Sequence, residues 1–362
     1  MNFQQRITNY INAAFPAIAV ETTEEPRVMA DLYAVAAATG RYLWTWSSVD
    51  GLQSWAPSTD GTHKLVKSYP DTELLEPALQ ACLSLFKANR NEIAEAAAKK
   101  REPKLDHTKM LTSAVLVLRD AHLFPVDRDP VLSRCLRDVL TYGPEFGVPT
   151  IFVSPKFVPP PTIARMVTML AYSLPNAQDL RAICEQIAHS ALEAGASAED
   201  VKFDDAMVRA LGGLSTSEAS NALSLSIMEC GKFDTKVVYR EKVAAVKRGG
   251  LLEIIEPDPR GLDAIGGLDV LKDWVSRRRE MFSDAASEYG LPSPKGVLVV
   301  GVPGCGKSLF AKCVGTALDL PVLKLDIGSL FGSLVGESEQ KAREALDTAE
   351  AVSPCVVWLN PN

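Results

Sequence analysis

The sequence predicts an α/β fold with largely parallel sheets, and two observations carry this prediction. Short apolar runs of the kind that form buried parallel strands alternate with stretches of helical periodicity along the 362 residues. Two of these runs, residues 15–20 and 296–300, lead directly into a loop and then a helix. Because a chain of this length exceeds one ordinary domain, we expect two or three domains.

The composition argues against several classes of protein. Hydrophobic residues make up 47% and charged residues 23% of the chain, which is typical of a globular protein with a buried core. The net charge of −7 argues against bulk binding of nucleic acid. The N-terminus lacks the pattern of a signal peptide, and no apolar run is long enough to span a membrane, so we expect a cytoplasmic protein. The seven cysteines and four histidines are dispersed, which argues against zinc sites and disulfide frameworks.

Residues 1–175 are predicted to form an N-terminal α/β domain. In chain order, its predicted elements are a helix over 2–14, a strand over 15–20, a helix over 27–39, a strand over 42–46, a helix over 73–88, a strand over 111–118, a helix over 131–140, a strand over 150–153 and a further short element over 163–170. A polar stretch over 47–64 is predicted to be a loop, and residues 90–109 a solvated helix and connection.

The loop that follows the first strand predicts that this domain has no working phosphate site. Residues 21–25 contain no Gly-Lys pair, and they carry the three carboxylates of Glu21, Glu24 and Glu25, which repel phosphate. The strand that ends at Asp120 nevertheless resembles a Walker B strand. We therefore interpret residues 1–175 as a degenerate nucleotide-fold domain without a phosphate loop.

Residues 176–253 are predicted to form a helical segment that joins the two α/β units. Its predicted helices cover 176–194, 204–211, 216–228 and 236–247. Residues 254–262, with two prolines, read as a linker, and residues 263–362 as the second domain.

Residues 301–308 match the phosphate-loop pattern G-x-x-x-x-G-K-[ST] at every fixed position. Glycines allow backbone conformations closed to other residues, so that successive N–H groups can point at phosphate oxygens. Lys307 adds a positive charge near the β- and γ-phosphates, and the hydroxyl of Ser308 can ligate Mg²⁺. The helix predicted over 309–318 directs its N-terminal dipole at the same anion. The sequence therefore predicts binding of a nucleoside triphosphate.

The remaining residues of the second domain continue the strand–helix pattern. The sequence predicts a strand over 322–325, a glycine-punctuated loop over 328–336, a helix over 337–351 and an apolar strand over 355–359.

Four stretches together resemble the AAA ATPases of the AAA+ superfamily: residues 262–268, the phosphate loop, the Gly-Glu-Ser-Glu at 336–339 and the apolar strand after Pro354. More narrowly, the arrangement looks like the uncharacterised AAA ATPases encoded in algal plastid genomes, with relatives in cyanobacteria and other bacteria. The similarity covers nearly the whole chain. It implies a parallel sheet of the P-loop NTPase (AAA+) type, ATP and Mg²⁺ as cofactors, a homo-oligomeric ring and a protein client that is remodelled.

The resemblance also assigns residues to the nucleotide. Ile265 and Gly266 would contact the adenine, and Ser308 would hold the metal. The full set that the resemblance places around ATP is Ile265, Gly266, Gly301, Pro303, Gly304, Cys305, Gly306, Lys307, Ser308 and Leu309. Oxidation of Cys305 could obstruct the nucleotide, although a tolerated residue at a variable position is the simpler interpretation.

The sequence departs from the family pattern at two places. Leu334 stands where AAA proteins carry an aromatic pore-loop residue, which puts peptide threading in doubt. Asn360 and Pro361 stand where a Walker B strand ends in aspartate and glutamate, which order Mg²⁺ and activate water. We therefore assign no catalytic residue, and we expect an incomplete sheet in a C-terminally truncated chain.

Two functions are consistent with these residues, and a third is disfavoured. The first is an AAA ATPase in which ATP hydrolysis remodels a partner protein, as the resemblance implies. The second is a truncated nucleotide-binding or assembly module without hydrolysis, which Asn360 and Pro361 favour. A P-loop kinase would need a lid and an acceptor site, and the Gly-Glu-Ser-Glu segment argues against it.

Overall fold

The computed structural model describes residues 2–57, 63–103, 111–248, 252–256, 258–282, 289–290, 296–302, 304–318, 320–328, 342, 345–346, 348–350, 352 and 355–360. Contacts divide the chain into two compact units, Met1–Tyr172 and Ser173–Asn362. Each unit contains one sheet.

The first unit contains a seven-stranded sheet. Its strands are β1 (Ala17–Glu21), β2 (Tyr42–Ser47), β3 (Gly51–Pro57), β4 (His63–Tyr69), β5 (Ala114–Arg119), β6 (Thr150–Ser154) and β7 (Val167–Ala171). They lie in the order β4-β3-β2-β5-β6-β1-β7. The run from β2 to β7 is parallel, whereas β3 and β4 pair antiparallel at one edge. This sheet confirms the predicted α/β class.

Helices cover both faces of this sheet, and their apolar side chains form two cores. The four helices are α1 (Phe3–Asn12), α2 (Glu25–Ala38), α3 (Leu75–Ala98) and α4 (Pro130–Tyr142). On one face, Leu32 of α2 packs in one cluster with Ile18 of β1. On the other face, Leu79 of α3 and Leu136 of α4 share a cluster with Phe152 of β6. Parallel strands buried on both faces explain why their sequences read as continuous apolar runs.

Two features of the first unit differ from the sequence-based prediction. The stretch over 47–64, predicted as a loop, contains β3 and the start of β4, because pairing along β2 stabilises residues whose own pattern is not strand-like. The helix predicted to end at residue 88 continues to Ala98 as α3. Asn89 lies fully buried in this helix, and its Nδ2 donates to the carbonyl oxygen of Leu111 at 2.6 Å. This tertiary contact holds the middle of the helix.

The second unit begins with four helices, α5 (Ala177–Glu193), α6 (Asp205–Leu211), α7 (Thr216–Cys230) and α8 (Thr235–Arg248). Asn176 and Ser215 start α5 and α7 with capping boxes, in which the side chains of Asp179 and Glu218 return the hydrogen bond. The four helices bury a common apolar cluster.

A three-stranded sheet follows, with the order β10-β9-β8. Its strands are β8 (Leu252–Ile255), β9 (Val322–Asp326) and β10 (Val356–Asn360), and the helices beside it in sequence are α9 (Asp269–Ser276) and α10 (Lys307–Leu318). β9 and β10 are parallel, and β8 is antiparallel to β9. The linker predicted over 254–262 therefore starts inside a strand, because Ile254 pairs with Leu323 and is buried.

The prediction of a buried parallel strand over residues 296–300 is wrong in this structure. These residues belong to no strand among the residues described. The side chains of Leu298 and Val300 are 89% and 84% exposed. An apolar run becomes a buried strand only where neighbouring strands and helices cover it, and among the described residues only Val299 of this run packs against a core cluster, the one that contains Phe310 and Cys313.

Several positions singled out in the sequence lie outside the described residues. They are Pro303, residues 334–336, the Gly-Glu-Ser-Glu at 336–339, and Pro361 with Asn362. Within the described ranges, no helix combines the length and apolar character that crossing a membrane requires.

Candidate nucleotide-binding site

Lys307 is the first residue of α10, and its side chain turns back over the loop that precedes it. Its Nζ donates to the carbonyl oxygens of Gly301 and Val302, at 2.8 and 2.9 Å, and lies 3.8 Å from the Sγ of Cys305. A primary ammonium group has three donors and no acceptor, so neutral carbonyl oxygens satisfy it without cancelling its charge. The loop therefore concentrates a positive charge at the N-terminus of a helix.

The glycines of this loop are required for two different reasons. Gly304 and Gly306 have φ of +83° and +89°, a backbone conformation that L-residues rarely adopt. A Cβ at either position would meet open space, so backbone conformation rather than crowding is the constraint. At Gly301 the reason is crowding, because a Cβ there would lie 2.6 Å from the Sγ of Cys305.

Helix α10 holds the loop in position because one face of the helix is buried. Phe310 and Cys313 are buried in a cluster that also contains Ile265, and Leu309 packs against it. Of the residues that the sequence assigned to the nucleotide, the structure thus places Ile265 and Leu309 in contact with one cluster. The side chain of Ile265 is buried in this cluster, whereas Gly266 beside it is exposed.

A second contact, which the sequence did not predict, ties the segment before Ile265 to α10. The hydroxyl of Thr316 donates to the carbonyl oxygen of Asp258 at 2.6 Å. The carboxylate of Asp258 pairs with Arg260 at 2.8 Å, and hydrogen bonds from Arg260 lower the pKa of this carboxyl to about 2. No local pattern marks residues 258–260 as part of a site, since they read as a proline-containing linker.

A cavity of about 590 Å³ lies between α9 and residues 296–297. Its walls include the side chains of Leu268, Leu271, Trp274 and Val297. The guanidinium of Arg278 lies over the ring of Trp274, 3.7 Å from its centroid. A cavity of this size with aliphatic and aromatic walls can accommodate a planar ring. Ile265 and Gly266 are not among the described residues that line it.

The carboxyl ends of β9 and β10 lie side by side. Asn360, at the end of β10, is in parallel register with Asp326, at the end of β9. The Oδ1 of Asp326 accepts a hydrogen bond from the backbone N–H of Gly328 at 3.0 Å. Among the described residues, no group of three or more histidine, cysteine, aspartate or glutamate side chains could hold a metal ion.

These observations test whether the loop fits a triphosphate. It offers backbone N–H groups in an exposed, positive-φ arrangement at Gly304 and Gly306, the ammonium of Lys307 and the exposed hydroxyl of Ser308. Such donors match the anionic oxygens of a phosphate chain, and a serine hydroxyl beside them matches a ligand of Mg²⁺. The residues present therefore fit the group that the sequence predicts.

Comparison with known protein families agrees with this geometry. Residues 297–360 match the family described as "ATPase family associated with various cellular activities (AAA)", which includes the loop and both parallel strands. Residues 3–172 match the N-terminal domain of SpoVK-like AAA ATPases, and residues 178–249 match the second domain of the same proteins. The chain belongs to the AAA ATPases.

Several proteins similar to this AAA ATPase are longer than the chain. The "Uncharacterized AAA domain-containing protein ycf46" of Trieres chinensis is 30% identical over 99% of this chain and 65% of its own length. The protein of the same name from Guillardia theta is 29% identical, with 64% of its length covered. The "Ribosome biogenesis ATPase RIX7" of Saccharomyces cerevisiae is 30% identical over 40% of this chain. The chain thus spans just under two thirds of the length of the first two relatives.

Proposed function

We propose that this AAA ATPase binds ATP with Mg²⁺ through the loop at 301–309, and that ATP hydrolysis in the family-length protein is coupled to remodelling of a protein client. The observation that carries the proposal is the position of the Lys307 ammonium, held by two loop carbonyl oxygens at the N-terminus of α10. We also expect a cytoplasmic protein that assembles into a homo-oligomeric ring, as the family resemblance implies.

The chain's own residues account for the binding step. Phosphate oxygens are stronger acceptors for an ammonium than neutral carbonyl oxygens, so Lys307 would exchange Gly301 and Val302 for the phosphates. The N–H groups near Gly304 and Gly306 would hold the same anion, and Ser308 would hold Mg²⁺. When bound, Mg²⁺ neutralises charge on the phosphates and polarises them for attack.

Hydrolysis also needs a group that activates water, and β10 ends in Asn360, which has no charge. The exposed apolar run at 296–300 supports the view that this sheet is completed by further strands. We therefore expect ATP hydrolysis to depend on residues other than those that line the loop and end the two parallel strands. The second candidate function, a nucleotide-binding module without hydrolysis, is favoured by the same asparagine.

The first prediction concerns Lys307. In a titration with a fluorescent ATP analogue, we expect Lys307→Ala to weaken binding by about 100-fold, because a charged hydrogen bond to phosphate is worth about 2–3 kcal/mol. The matched control is Lys312→Ala, which removes the same charge from the same helix away from the loop.

The assay separates the two candidates when phosphate release is measured on the same samples. Release from the wild-type chain above the level of Lys307→Ala would favour the enzyme, and binding without release would favour the module. Equal affinity of the wild-type chain and Lys307→Ala would contradict the assignment of the site.

A further inference from the structure

The first unit contains a cavity that no part of the ATP site uses. It has a volume of about 280 Å³ and lies between the loop that follows β5 and the loop that follows β6. In open α/β sheets, ligands bind in crevices outside the carboxyl ends of the strands, and both loops leave the sheet at such ends. Position alone therefore marks this cavity as a candidate site.

The chain enters the first of these loops through a strained residue. Asp120 has a φ of +52°, in the left-handed region that residues other than glycine rarely adopt. Its backbone N–H still donates to the carbonyl oxygen of Val153 on the neighbouring strand at 3.0 Å, so the strain is held by the sheet. The turn directs residues 121–128 over the cavity. Backbone strain held in this way is concentrated at functional sites.

The cavity has an aromatic wall. The rings of Phe152 and Phe157 stack with centroids 4.5 Å apart and an interplanar angle of 22°. Leu136 of α4 also lines the cavity, and Leu123 and Val158 carry the apolar surface outward, with 72% and 73% of their side chains exposed. An apolar group that enters the cavity would therefore be contacted on several sides.

One buried polar atom of a residue that lines the cavity makes no hydrogen bond within the described part of the chain. The Nδ1 of His122 is buried without a hydrogen bond, and the nearest carboxylate oxygen, Oδ1 of Asp120, is 3.8 Å away. A buried polar atom of this kind is uncommon, since most have a partner in the protein or in bound solvent. Because this atom is closed to solvent, a ligand would contact the exposed part of the imidazole rather than its Nδ1.

The lining also includes two opposite charges adjacent in sequence. Asp127 and Arg128 are both exposed, and no ion pair links either of them to another residue in the ranges described. A ligand that carries one positive and one negative group could pair with both. Free side chains of a folded partner rarely present such a pair together with an apolar group, whereas a free amino acid does.

The volume limits the size of the ligand. Pockets for drug-sized molecules span about 300–1,000 Å³, so this cavity suits a smaller one. We propose that it binds a small zwitterionic molecule, an α-amino acid with an aliphatic or aromatic side chain. The carboxylate pairs with Arg128, the ammonium group pairs with Asp127, and the side chain contacts Phe152 and Phe157.

Equilibrium dialysis of the full chain tests the proposal. The probes are L-phenylalanine and L-leucine, and N-acetyl-L-phenylalaninamide serves as the control that keeps the side chain but removes both charges. We expect binding of at least one free amino acid and about tenfold weaker binding of the uncharged control, because charge-assisted hydrogen bonds are lost.

The variants locate the site on the chain. Arg128→Gln and Asp127→Asn should each weaken binding by about tenfold, for the same reason. Arg137→Gln, at an exposed position of α4, is the matched control and should bind as the wild-type chain does. Both loop positions are exposed, so we expect unchanged thermal unfolding midpoints.

Three outcomes would overturn the proposal. They are no binding of either amino acid at millimolar concentration, equal binding of the uncharged amide, and equal affinity in Arg128→Gln and Arg137→Gln. Equal binding of the amide would indicate instead a surface for an apolar side chain of a polypeptide.

Discussion

Each α/β unit contains an apolar run that is followed by a loop and a helix, but the two runs are covered differently. In the first unit, β1 lies between β6 and β7, and Ile18 is fully buried. In the second unit, Val297, Leu298 and Val300 of the corresponding apolar run are exposed, and only Val299 is partly buried. The comparison teaches that an apolar strand–loop–helix sequence does not decide by itself whether the strand is covered, because neighbours from elsewhere in the chain must supply the cover.

The two units also differ in the groups that a cation at the end of a strand or at the start of a helix contacts. In the first unit, Arg119 at the end of β5 pairs with Glu25 at 3.1 Å and with Asp50 at 2.7 Å. In the second unit, the Lys307 ammonium is bonded to neutral carbonyl oxygens. Carboxylates cancel the positive charge of Arg119, whereas carbonyl oxygens leave the charge of Lys307 available to an anion. This difference supports the interpretation of the first unit as a nucleotide fold without a phosphate site.

The largest expected effect concerns burial of the two apolar runs. Ile18→Ala should lower the free energy of unfolding of the first unit by about 2–5 kcal/mol, because it creates a cavity in a packed core. Leu298→Ala should change stability by less than about 0.5 kcal/mol, since its side chain is already exposed to water. Hydrogen exchange followed by mass spectrometry measures each unit separately. A loss of more than about 1 kcal/mol in Leu298→Ala would show that this run is covered in solution.

The second prediction concerns a buried cation in the second unit. Lys242 of α8 is 4% exposed, no hydrogen bond or ion pair holds its ammonium in the described ranges, and burial lowers its pKa from 10.5 to about 8. Because the unfolded chain keeps this proton to higher pH than the folded one, stability should rise between pH 8 and 10.5, by an amount on the order of 2–3 kcal/mol.

Urea unfolding at a series of pH values checks this expectation. Lys242→Met should be more stable than the wild-type chain at pH 7. Its stability should not rise between pH 8 and 10.5. Lys236→Met, at an exposed position of the same helix, is the control and should keep the rise. A rise that persists unchanged in Lys242→Met would assign the titration to another group.

The smallest effect is expected at the ion pairs of Arg119. Arg119→Met should destabilise the first unit by about 1–2 kcal/mol, a value between those of exposed and buried pairs, since these side chains are partly exposed. The affinity for ATP and the stoichiometry of one nucleotide per chain should not change. Binding of two nucleotides per chain by this variant would contradict the comparison. It would show that Arg119 is the one residue that prevents ATP from binding to the first unit.

The sequence predicted the local units well and the contacts between distant segments poorly. The loop at 301–308 could be recognised because its pattern fixes residue types at set positions, and the fixed Gly306 has the expected positive φ. The β3–β4 edge could not, because β4 is almost entirely exposed and shows no alternation of apolar and polar residues. The bond from Thr316 to Asp258 also has no local signature, since it joins residues 58 positions apart.

The close approach of Gly301 to Cys305 has a consequence for sequence variation in this loop. Because a Cβ on residue 301 would lie 2.6 Å from the sulfur of residue 305, the two positions are not independent. A side chain at the first requires a smaller or displaced one at the second. We therefore expect the pair to vary together: alanine at 301 should be less destabilising alongside glycine at 305 than alongside cysteine, whose side chain would have to rotate away. A double-mutant cycle would express that dependence as a coupling energy between two residues that the phosphate-loop pattern treats as separate.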